Sequence, residues 1–311
     1  MTTTLLSTHI QNYLTYCKNQ KRLDEKTLKA YRIDLEQFAH AQIPSDITDI
    51  TDITPDLLEE YVAGLHEQYK PRTVKRKIAS LKVFFHYLLY KDFLPQNPFD
   101  KLQLRFREPI ILPKTIPLAT VETLLSVAHR QQTLAPTEYQ RKNALRDTAV
   151  LELLFATGIR ISELCSLHND SIDLQDGTIL IYGKGSKERR IQIGNESVLC
   201  ILKKYKITFQ KEILACDSFF VNQAATPLSD QAVRRMINKY TELASIDMHI
   251  TPHMFRHTFA TSLLDADVDI RYIQEMLGHS SITITEIYTH VAVAKQRNIL
   301  ATRHPRNRFM L

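Results

Sequence analysis

The sequence predicts a mainly α protein of two domains: an N-terminal helical bundle, then a mixed, mostly helical domain with a small β-hairpin. Three observations carry that prediction. Apolar residues recur at helical spacing through the first hundred residues. A proline-rich stretch without helical period then interrupts the chain. Beyond it, a single pair of β-like runs stands among further helical patterns.

The elements follow in order. Residues about 5–19 form a first helix. Asp24 is placed to cap a second, in which Leu28, Tyr31, Leu35 and Phe38 share a face. Thr54-Pro55 has the cap-then-proline form of a third helix start. A fourth runs from about Arg72, with Ile78, Leu81, Phe85 and Leu88 on one side, and ends before Pro95 and Pro98. These stripes read as core contacts between helices. Residues 1–107 make the first domain, and 108–117 a linker in an extended stretch that holds Pro109, Pro113 and Pro117. The second domain, 118–311, opens at Ala119-Thr120-Val121-Glu122, where Thr120 is the expected cap. Thr178-Ile179-Leu180-Ile181-Tyr182 and Arg190-Ile191-Gln192-Ile193 flank Gly183-Lys184-Gly185-Ser186-Lys187, a hairpin with Lys184 near its turn. Further on, Thr251 reads as an N-cap and Pro252 as the first helical residue.

Bulk properties narrow the function classes. A formal net charge of +6 and a pI near 9.0 permit a nucleic-acid partner without establishing one. Lys70, Arg72, Lys75, Arg76, Lys77 and Lys82 crowd one segment without an acid. Alone, such a run reads first as a solvated helix face. No stretch nears the roughly 18 apolar residues of a membrane span, and the start lacks the pattern of a signal peptide. Cys17, Cys165, Cys200 and Cys216 are scattered without a CxxC pair, which argues against a zinc knuckle or a disulfide framework and suits a reducing compartment.

The chemistry concentrates in three places. Arg160 lies in Thr157-Gly158-Ile159-Arg160-Ile161-Ser162-Glu163-Leu164, and Lys184 in the hairpin. His253, Arg256 and His257 lie in His253-Met254-Phe255-Arg256-His257, followed by Leu277-Gly278-His279 and Tyr288. Guanidinium groups offer paired donors that neutralise phosphate oxygens. His253 and Arg256, three apart near a helix N-terminus, suit an anion. A phenol with its reference pKa near 10 needs an imidazole or nearby cations before it attacks. His253 and His257 have zinc spacing, but Met254 stands where a zincin carries glutamate, and no metal site is expected. Gly183-Lys184-Gly185 lacks the form of a nucleotide-binding loop.

In order and spacing these residues resemble the tyrosine recombinase (phage integrase) family, over essentially the whole chain. The resemblance implies a two-domain C-shaped clamp on double-stranded DNA with paired recombination half-sites. It implies Tyr288 as the nucleophile of a 3′-phosphotyrosyl link, Arg160 and Arg256 on the scissile phosphate, and Lys184 as general acid. His253 would assist proton transfer, His279 would bond a phosphate oxygen, and Glu163 would support the geometry. Lys70, Arg72, Lys75, Arg76 and Lys77 become the expected DNA contacts of the first domain. A homotetramer or heterotetramer is implied through the C-terminal segment 291–311, from Val291 to Leu311, with exchange through a Holliday junction. No cofactor is implied, because the phosphotyrosyl ester conserves bond energy. A cytoplasmic, nucleoid-associated location follows.

Size and the run Arg303-His304-Pro305-Arg306 are most like the Xer recombinases, which resolve chromosome or plasmid dimers. The polar run 130–137 and the residues after Arg306 depart from that pattern. A transposon, phage or plasmid integrase-excisionase of the same family therefore stays open. So do a type IB topoisomerase, a catalytically silent DNA-binding regulator and, without carboxylate support, a metal-dependent nuclease.

Overall fold

The computed structural model describes residues 5–41, 49–102, 114–183 and 188–278. The chain divides into two compact units, Met1–Ile111 and Leu112–Leu311.

The first unit holds α1 (Leu5–Asn19), α2 (Glu25–His40), α3 (Pro55–Gln68) and α4 (Pro71–Tyr90). Asp24 caps α2 by accepting from the Thr27 N–H at 2.9 Å, and Thr54 caps α3 by accepting from the Leu57 N–H at 3.3 Å. Helix α4 packs against each of the other three. Its stripe of Ile78, Leu81, Phe85 and Leu88 is buried, and each such side chain contributes about 1.5–3 kcal/mol on leaving water. Phe84 meets Tyr13 edge-on at 5.4 Å, and Phe85 meets Phe99 the same way at 5.4 Å. Phe99 sits in a short 3₁₀ turn, Pro98–Lys101, that closes the bundle.

The second unit holds α5 (Leu118–Leu134), α6 (Glu138–Thr157), α7 (Ile161–Cys165), strands β1 (Ile172–Asp173), β2 (Thr178–Tyr182) and β3 (Glu188–Gln192), then α8 (Glu196–Thr208), α9 (Gln210–Cys216), α10 (Asp230–Leu243), α11 (Pro252–Asp265) and α12 (Ile270–Leu277). Helix α6 is the axis of this unit, packed against α5, α8, α10 and α11. Ala149, Val150, Leu151, Leu153 and Leu154 are all buried, so α6 is apolar around most of its circumference here, with Glu152 the exception that pairs with His129, as befits a central helix. The polar run 130–137 is absorbed by the end of α5 and a short connection, and Thr137 and Gln140 form a capping box that starts α6.

Two expectations are corrected. Helix α5 opens at Leu118 with Pro117 in the cap position, so Thr120 lies inside the first turn and caps nothing. Its N–H bonds the Pro117 carbonyl at 2.9 Å, because proline has already set the backbone angle there. Strand β3 begins at Glu188, two residues before the expected Arg190. The sheet is an antiparallel β1-β2-β3 meander whose ladder runs from Thr178↔Gln192 to Tyr182↔Glu188. That earlier start places Arg189 opposite Ile181, on the same face as buried Ile191. The linker expected over 108–117 falls mostly outside the described residues.

Candidate active site

The site begins with a turn that only glycine can make. Helix α6 ends at Gly158 with φ +59°, and a Cβ there would stand 2.7 Å from the Phe259 ring. The chain reverses and delivers Arg160 to the cap position of α7. The Arg160 N–H donates to Glu163 Oε2 at 3.0 Å, and its Nη1 donates to Glu163 Oε1 at 2.8 Å. About a third of the Arg160 side chain stays exposed. Among the described residues, its Nε and Nη2 make no hydrogen bond.

Helix α11 brings the second guanidinium. Thr251 occupies the cap position without a side-chain bond, and Pro252 is the first helical residue. Arg256 is buried. It donates to the Gly158 carbonyl at 2.8 Å and to the Leu277 carbonyl at 2.6 Å. Helix α12 ends at Gly278, φ +64°, and its last carbonyls point into this cluster. Cations there complement the negative end of a helix while satisfying carbonyls that have no partner within it. One arginine thus ties the α6–α7 turn to the end of α12.

A third arginine, Arg189 of β3, was not among the expected site residues. Its Nη1 and Nη2 donate to Glu163 Oε1 at 2.9 Å and Oε2 at 2.6 Å, a bidentate pair. Its Nε donates to the Met276 carbonyl at 3.0 Å. Glu163 therefore accepts four hydrogen bonds, two on each oxygen, which fills the capacity of a carboxylate. Burial pushes the Glu163 pKa upward, but the bonds from Arg189 and Arg160 outweigh it and hold it down at about 2. The sequence signal that finds Arg189 is strand periodicity: counting back two from Ile191 puts a charged residue on an apolar face. Beginning the strand at Arg190 leaves Arg189 in the loop.

His253 projects from α11 beside this cluster and is exposed at its outer edge. Desolvation against the protein, then the charges of Arg234, Arg256 and Arg160, lower its pKa, so the ring is neutral at pH 7 and able to accept a proton. His257, lowered by burial and then by His253 and Arg256, is neutral too. Arg234 of α10 is a second contributor that sequence motifs do not mark. Lys184, His279 and Tyr288 lie outside the described residues. Among the described residues no cluster of histidine, cysteine and carboxylate side chains can hold a metal ion.

In the first unit, Lys70, Arg72, Lys75 and Arg76 are exposed at or near the start of α4. Lys77 is different and corrects the expectation. It is 2% exposed, and its ammonium lies 3.4 Å from Asp34 Oδ1, against Gln37 and over the Tyr69 ring at 4.8 Å. Position 77 falls on the face of α4 that meets α2, so this lysine supports the core and is withdrawn from any ligand.

Paired guanidinium groups at or near helix termini, beside a neutral imidazole, are an arrangement able to receive an oxyanion where proton transfer is possible. Residues 117–295 match the phage integrase family, and residues 10–92 match the phage integrase N-terminal SAM-like domain. The chain belongs to that family: it is a site-specific tyrosine recombinase, a DNA strand transferase. It is 64% identical over 304 residues to a tyrosine recombinase of Agathobacter rectalis, covering 98% of each chain. It is 33% identical to the tyrosine recombinase XerC of Bacillus subtilis, covering 96% of each. In fold it is similar to the XerH site-specific recombinase solved with a palindromic difH substrate, with a TM-score of 0.71 at 22% identity, over 95% of this chain and 83% of that one.

Proposed function

We propose that this recombinase acts on DNA in the manner of the Xer proteins, resolving dimers of circular DNA at paired half-sites. The observation that carries the reading is near end-to-end similarity, at about a third identity, to recombinases named XerC and XerD. In this reading Arg160 and Arg256 hold the non-bridging oxygens of the scissile phosphate. The Tyr288 phenol gives up its proton, with His253 assisting, and its oxygen bonds phosphorus as the P–O5′ bond breaks. The departing 5′ oxygen takes a proton from Lys184. The product is a 3′-phosphotyrosyl ester and a free 5′-hydroxyl, and rejoining runs the same steps backward. His279 bonds a phosphate oxygen. Lys70, Arg72, Lys75 and Arg76 contact the DNA backbone, where each neutralised phosphate adds to affinity and to its salt dependence. Four protomers pair through 291–311, a contact that must switch as strands are exchanged in turn.

The test is covalent trapping. Nicked, labelled fragments of the source genome are incubated with wild-type protein and with Tyr288→Phe, and resolved on a denaturing gel. A protease-sensitive shifted band with wild type alone is expected, and sequencing the trapped DNA gives the site. A band that persists in the phenylalanine variant removes Tyr288 as nucleophile. Trapped sites at a replication-terminus locus support dimer resolution, whereas sites at the ends of a mobile element replace that role with integration and excision.

A further inference from the structure

The least expected residue in the site shares a buried carboxylate with one of the expected ones. Glu163 is buried and ionised between two guanidiniums. Arg189 meets it with both Nη atoms, and its side chain is 10% exposed, whereas that of Arg160 is 34% exposed. Arg189 is thus the closed partner and Arg160 the open one. Two positive charges on one carboxylate leave one in surplus, and geometry assigns the surplus to Arg160.

We propose that Arg189 is a positioning residue for strand cleavage: it satisfies Glu163, so that Arg160 keeps an electropositive face for the scissile phosphate. The inference rests on the reading that Arg160 holds that phosphate. Without Arg189 the Glu163 charge falls wholly on Arg160. The pair becomes formally neutral, where attack on a phosphodiester anion develops further negative charge. The Arg189 Nε bond to Met276 and the close fit of Gly278 against its stem, where a Cβ would lie 2.9 Å from Cδ, hold the guanidinium in register with the end of α12.

Charge compensation separates this role from a structural one. The full-length protein is assayed for single-turnover cleavage on the duplex recovered by trapping with wild type. The variants are R189Q, E163Q and R189Q/E163Q, each checked by thermal unfolding. R189Q is expected to cleave about 10²-fold more slowly, the scale of losing one preorganised donor in such a site. The double variant, freed of the uncompensated carboxylate, is expected to recover about tenfold of that loss, since its remaining cation is again unopposed. A double variant no faster than R189Q, or R189Q at the wild-type rate, overturns the proposal. Should R189Q fail to fold, R189K, which keeps the charge and loses the fork, must show the same rescue by E163Q with smaller amplitude, and no rescue overturns it equally. Wild type that traps DNA while R189Q matches it defeats this inference alone. Wild type that traps no DNA defeats the recombinase site reading and this inference with it.

Discussion

Asp34 in the first unit and Glu163 in the second are each buried and paired with two cations, and their settings differ. In the first unit Asp34 is fully buried among Arg76, Lys77 and Ser80, with the Ser80 hydroxyl donating at 2.8 Å. Lys77 is buried with it, so a large part of that charge is spent inside the bundle. In the second unit Glu163 is buried between Arg160 and Arg189, and here too one of the two cations faces outward, as Arg76 does beside Asp34. The same local chemistry serves architecture in one place and, in the proposed reading, a reaction centre in the other. Each pair has one enclosed cation, Lys77 or Arg189, and one open cation, Arg76 or Arg160, so what separates them is the company the open cation keeps: Arg160 shares the Leu277 carbonyl with Arg256 and lies near His253.

The comparison can be broken first at Arg256. Arg256→Ala is expected to slow covalent-complex formation by about 10²–10³-fold, because it removes a preorganised donor and strands two carbonyls. A loss under tenfold in a folded variant would remove Arg256 from the phosphate site. In the first unit the expected effect is on stability. Asp34→Ala leaves Lys77 buried without its counter-charge and should destabilise the N-terminal unit by about 3–5 kcal/mol in chemical denaturation. Little change would mean that water reaches Lys77.

A smaller effect tests Glu163 through pH. Its folded pKa of about 2 lies below the ordinary value, so its stabilisation is complete above about pH 4.5 and is lost as pH falls toward 2. The difference corresponds to about 3 kcal/mol at neutral pH. Glu163→Gln should flatten the acid side of the stability profile in that window, which urea unfolding at stepped pH will show. The smallest effect concerns His253. Neutral imidazole is the form that accepts a proton, so cleavage should fall only as pH drops below the usual histidine range. Arg234→Gln removes one of the charges that lower its pKa and should move that acid limb to higher pH. An unmoved limb would show that another group sets it.

Much of this was legible in the chain itself. Asp24 and Thr54 announced their helices because capping is local chemistry between residues two or three apart. The stripe from Ile78 to Leu88 announced a buried face because side-chain periodicity is fixed by the helix. Arg160, Glu163, His253 and Arg256 could be singled out as candidates because each lies in a contiguous motif. Lys77 was misread for the opposite reason: in sequence it is one more member of a basic run, and only the angle at which α4 meets α2 turns it inward. Thr120 was misread because a proline three residues earlier had already started the helix.

The sequence by itself determined the mainly helical class, the starts of α2 and α3 and the residue types of the candidate site, since these depend on local propensity and spacing. The tertiary structure alone decided that Arg189, Glu163 and the end of α12 meet. Those contacts join residues 26 and 87 positions apart, and strand pairing, a glycine turn and helix packing must all be in place before they exist.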